Sequence, residues 1–132
     1  MISKEHDALM SLLAAVIIAD KRVFAQEIEA YVEATLKLQN TLKLGPKLSE
    51  AKILLWYETN KANVKGKVAG PDFTAWLYEC LDSLALVKGR QAILNGMNEI
   101  ALADGVMHDD ERALMTIAAT RWAAIRPSSA GG

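Results

Sequence analysis

Ala8-Leu9-Met10-Ser11-Leu12-Leu13-Ala14-Ala15-Val16-Ile17-Ile18-Ala19 is the stretch on which the fold turns. Only Ser11 interrupts its apolar character. Leu9, Leu12, Leu13, Val16 and Ile17 recur at helical spacing, and the segment is apolar nearly all round, which describes a central helix covered by others. The run is shorter than the ~20 apolar residues that span a bilayer. Glu5 and Asp7 precede it where a signal peptide is net positive. We therefore expect a cytoplasmic protein with no integral membrane segment.

Working outward, the same periodicity continues. After the first helix, over residues 3–19, a second is expected over residues 26–38. Its stripe is Ile28, Tyr31, Val32, Thr35 and Leu36, with Glu27, Glu29 and Glu33 facing water. Gly45-Pro46 breaks regular structure. Ser49 caps a third helix carrying Ile53, Leu54, Trp56 and Tyr57, which is expected to fade into a polar loop over residues 60–70 containing Lys61, Lys65 and Lys67. Pro71 is placed in the first turn of a fourth helix bearing Phe73, Trp76, Leu77, Cys80, Leu81 and Leu84. A fifth is expected over residues 88–103 and a sixth over residues 109–125, the latter with Leu114, Ile117, Ala118, Arg121 and Trp122 on one side. Strand alternation is absent. The expectation is an all-α fold, a compact antiparallel bundle of about six or seven helices, as a single domain over residues 1–126 with a flexible tail over residues 127–132.

Composition limits the function. The 132 residues suffice for one core, and the formal net charge of -1 offers no basic excess for phosphates, so a nucleic-acid partner is not expected. A single cysteine, Cys80, excludes an internal disulfide and a multi-cysteine zinc site. It falls on an apolar stripe, where a buried structural thiol is expected. His6 beside Asp7 reads as a solvated pair. No Glu-x-x-His pair, His-Glu-x-x-His motif, phosphate-binding glycine loop or Gly-x-Ser-x-Gly elbow is present, so the chain is expected to bind and not to catalyse.

One internal repeat stands out. The segment from Ile17 through Asp20 to Glu27 matches that from Ala101 through Asp104 to Glu111. Each reads apolar helix, Ala-Asp, short loop, then Glu seven positions after the Asp. Upstream, Leu9, Leu13 and Val16 match Ile93, Met97 and Ile100 at the same offset, giving two pseudo-repeated helix–loop–helix units. An Asp at a helix C-terminus sits at the unfavourable end of the dipole and needs loop N–H groups, a base or a cation. A Glu near the third position of the next helix can reach back to the N-cap N–H. Asp109 and Asp110 crowd the second helix start. One reading is purely structural: the Asp orders the loop and the Glu caps. The other is a shared oxygen-rich site for a divalent ion such as Ca²⁺ or Mg²⁺, with His108 adding a nitrogen for a Zn²⁺-like site.

The Ala-Asp-Gly-x5-Glu segment ending at Glu111, after an apolar helix from near Arg90, resembles the TerB (tellurite-resistance) family, and the segment from Ala15 to Glu27 is similar to that family's matching first unit. The resemblance implies a helical bundle with an acidic surface cluster and a metal-linked role in tellurite and other chemical stress. It carries over Asp20, Glu27, Asp104 and Glu111 as acidic positions. The chain departs from the pattern at Lys21, where Gly is usual, and lacks an acidic run before Glu27. The resulting expectation is a stress-response domain binding a divalent ion (Ca, Mg, Mn or Zn) through Asp104 and Glu111, with Asp109, His108, Asp20 and Glu27. The alternative is a metal-free helical module that docks a protein partner, of the scaffold or co-chaperone type.

Overall fold

The computed structural model describes residues 2–19, 25–85, 89–103, 105 and 109–124. Six helices run through them: α1 (Lys4–Ile18), α2 (Ala25–Thr41), α3 (Glu50–Ala69), α4 (Phe73–Ser83), α5 (Arg90–Ala101) and α6 (Asp109–Ala124). No strand occurs among the described residues, and no described helix is long and apolar enough to cross a membrane.

α1 is the axis of the bundle. Every residue from Ala8 to Ala19 is buried, and α1 packs against all five other helices. Its start is set locally: Ser3 Oγ accepts from the His6 N–H at 3.1 Å, and Glu5 and Asp7 lie at the positive end of the dipole. Around it, α2 lies on α5, α5 on α6, α4 on α6, and α3 on both α2 and α4. The α2–α5 approach is close because Gly96 has no side chain; a Cβ there would sit 3.1 Å from Leu38 Cδ1. Gly89 precedes α5 with φ +100°, a conformation that favours glycine.

Two expectations about elements need correction. The polar stretch over residues 60–70 is helical: α3 continues unbroken to Ala69. Val64, 2% exposed, anchors that half of the helix in the core. Asn60 turns its side-chain amide back onto the Trp56 carbonyl at 2.8 Å, and Lys61 pairs with Glu58. The lysines thus ride on a helix and not on a loop. Pro71 is also displaced: Asp72 is the cap residue of α4, and Pro71 lies just outside it. The tail over residues 127–132 lies outside the described residues.

His6 is a third correction. It is fully buried, at the base of a closed polar network. Gln39 holds Leu48 by both backbone groups: its Nε2 donates to the Leu48 carbonyl at 2.8 Å and its Oε1 accepts from the Leu48 N–H at 2.9 Å. That orients the amide, so His6 Nε2 must be the donor to Gln39 Oε1 at 2.9 Å, and Nδ1 faces Ser3 Oγ at 3.3 Å. The network ties α1, the end of α2 and the chain entering α3. Asp7, by contrast, is exposed and accepts from the Trp56 indole N–H at 3.0 Å.

Candidate functional site

The candidate site lies at the other end of α1. Ala19 is the last residue described before Asp20, and α2 begins at Ala25. Glu27 is therefore the third residue of α2. At the second unit α5 ends at Ala101, the chain turns with the Gly105 N–H donating to the Leu102 carbonyl at 2.8 Å, and α6 begins at Asp109. Glu111 is the third residue of α6. Both glutamates hold the helical position the spacing predicts.

Their surroundings differ from the expectation. Glu27 does not face water; it and Glu111 are each 0% exposed. The reason is visible in the helices themselves. The buried positions of α6 include Glu111, Leu114, Ala118 and Trp122, at offsets of 3, 7 and 11. Those of α2 include Glu27, Tyr31, Ala34 and Leu38, at offsets of 4, 7 and 11. Each glutamate is the first member of its helix's core-facing stripe. Glu29 and Glu33, off that stripe, are exposed as expected, and so are Asp109 and Asp110.

Neither glutamate lacks interaction partners. Glu27 acts on Tyr57 of α3, whose phenol is pushed above its ordinary range by burial first, then by the carboxylates of Glu58 and Glu27. Tyr57 stacks at a tilt on Tyr31, ring centroids 5.6 Å apart. Burial also raises the Tyr31 phenol, with Tyr57 adding to it, and its hydroxyl donates to the Ile53 carbonyl. Asp20, Asp104 and His108 lie outside the described residues, so the ligand set expected from the sequence is placed only at Glu27, Glu111 and Asp109. Among the described residues no three His, Cys, Asp or Glu side chains form a group able to hold a metal ion.

A cleft of about 660 Å³ opens beside these helix starts. Ile18 of α1 and its C-cap Ala19, Tyr57 of α3 and Asp110 of α6 all line it, so the end of α1 and the start of α6 share one end of the bundle. Sequence reasoning missed this cleft and the Tyr57, Lys61 and Lys65 that border it, because its second wall is the half of α3 expected to be loop.

The other singled-out residues are structural. Cys80 is buried, and its thiol is pushed up to about 12 by burial, then by Asp7 and Glu79, which leaves almost no thiolate near neutral pH. Trp56 and Trp122 are core, while Trp76 is half-buried. The Trp122 indole N–H donates to the Leu81 carbonyl at 2.9 Å. Arg121 forks onto Asp82 through Nε and NH2 at 3.0 and 2.9 Å and lies over the Tyr78 ring.

Six helices packed around a central first helix, with a buried glutamate in the first turn of α2 and of α6, define the class as an all-α helical domain. The family model described as tellurite resistance protein TerB matches residues 6–122, and the chain belongs to that family. No curated protein and no solved structure matches it.

Proposed function

We propose that this TerB-family domain is a cytoplasmic stress-response module that binds a divalent cation at the α1–α2 and α5–α6 ends, and that it is not an enzyme. The observation that carries the reading is the complete burial of two carboxylates at the same position of two helices. Burying a carboxylate costs several kcal/mol unless positive charge and hydrogen bonds compensate. Partners within the chain and the helix N-termini supply compensation. A divalent cation bound beside them would add to it through the loop carboxylates, and oxygen donors of this kind suit Ca²⁺, Mg²⁺ or Mn²⁺. Glu111, Asp104 and Asp109 would hold the ion from the second unit, Asp20 and Glu27 from the first, and His108 would add a nitrogen for Zn²⁺.

The test is the melting temperature of chelator-treated protein with Ca²⁺, Mg²⁺, Mn²⁺ or Zn²⁺, beside an Asp104→Asn, Glu111→Gln variant. A binding ion should raise it saturably, by about 2.7 kcal/mol of stability at a hundredfold excess over Kd. The variant should lose the rise. No shift with any ion would overturn the reading and leave the metal-free interaction module.

A further inference from the structure

We propose that the cleft between α3 and α6 binds a small amphipathic anion, an alkyl carboxylate whose chain lies between the helices and whose head meets Lys65. Neither the family nor the acidic site assigns it a ligand. α3 and α6 do not pack on each other, although both pack on α1. The gap between them is the cleft, floored by the end of α1. Its volume of about 660 Å³ falls in the range of roughly 300–1,000 Å³ typical of small-molecule sites.

The walls choose the ligand chemistry. Val68, Phe73, Leu114 and Ile117 present hydrocarbon, and a ligand with a polar body would leave its polar groups unsatisfied against them. The charge lies at the edges. Lys61 and Lys65 stand one turn apart on α3. Lys61 is already paired with Glu58 at 2.8 Å, whereas Lys65 has no ion pair among the described residues. Tyr57, 3% exposed, lines the cleft on the same helix, and its hydroxyl makes no hydrogen bond among the described residues. Its raised phenol pKa keeps it a donor at neutral pH. Asp110 borders the opposite wall and repels a carboxylate, which sends the head group towards α3.

Calorimetric titration with dodecanoate below its micellar concentration tests this, with chelator present so that the result is independent of any metal. The parent should bind one equivalent saturably. Lys65→Glu should weaken binding at least tenfold and improve binding of dodecyltrimethylammonium. Ala113→Trp and Ala62→Trp place bulk in the cleft from exposed positions on opposite walls. Whichever retains the parental circular dichroism should abolish binding. No saturable binding by the parent, binding indifferent to these substitutions, or equal affinity for the cationic surfactant would overturn the proposal. So would a dimer seen by sedimentation that Ala113→Trp dissociates without any dodecanoate bound to the parent; the cleft would then be a contact between copies.

Discussion

The two ends of α1 bury polar groups in opposite ways. At its start, the hydrogen bonds of His6, Gln39 and the Leu48 backbone close on one another. At its finish, about 18 Å away at 1.5 Å per residue, the buried polar side chains are the carboxylates of Glu27 and Glu111. A closed network is complete when the chain folds, and it staples three segments together. The buried acids at the mouths of the two loops also have partners within the chain, and under the proposed cation binding they would take a further one from solution. The first arrangement is architecture. The second is where exchange with the surroundings is expected.

This contrast can be broken by experiment. The largest effect should come from Gln39→Leu, which strands the Leu48 N–H and carbonyl and the His6 ring nitrogen; about 3 kcal/mol should be lost in urea unfolding, with or without chelator. Glu27→Gln and Glu111→Gln should behave differently. In chelator each should cost less than Gln39→Leu, about 1 kcal/mol, because the amide keeps one oxygen for the partners that the carboxylate has within the chain, and with saturating cation the cost should grow. If they instead cost as much in chelator as Gln39→Leu, the two ends are alike and the acids are structural. Trp56→Phe, which deletes the bond to Asp7, should cost about 1 kcal/mol, read by the same unfolding curves.

The smallest effect lies outside both ends. Arg121 holds the Asp82 carboxyl below its ordinary value by hydrogen bonding, against a small opposing effect of burial. A lowered folded-state pKa gives stability that is present above the ordinary aspartate value of about 4 and lost as pH falls through the lowered one. The parent should exceed Asp82→Asn slightly at neutral pH, and the margin should close in acid titration. The pair is exposed, so added salt should shrink it.

Much of the architecture was legible because hydrophobic periodicity is a direct record of packing. The apolar run ending at Ala19 announced a helix surrounded on all sides, and α1 touches every other helix. Ser3 and Ser49 marked helix starts, and both cap. Periodicity failed where a helix is held by few residues. In the second half of α3 the deeply buried anchor is Val64, set among lysines, glycines and asparagines that read as loop. The glutamates show the opposite failure. Charge alone assigns Glu27 to water, although Tyr31, Ala34 and Leu38 mark its face as inward. The same holds for His6, whose partners Gln39 and Leu48 are distant in sequence. Charge type says what a side chain would prefer, whereas stripe position says where the backbone puts it, and at His6, Glu27 and Glu111 the second prevails.

The central placement of α1 carries a consequence for biosynthesis. α1 is synthesised before the five helices that cover it, and α6, one wall of the cleft, is made after the other four. Roughly a hundred residues separate Ile18 from Leu114, so at 5–20 residues per second this greasy segment waits on the order of 5–20 s for its final neighbour. A nascent-chain chaperone that recognises exposed aliphatic stretches should therefore meet α1 as it emerges, and hold it until α6 has followed.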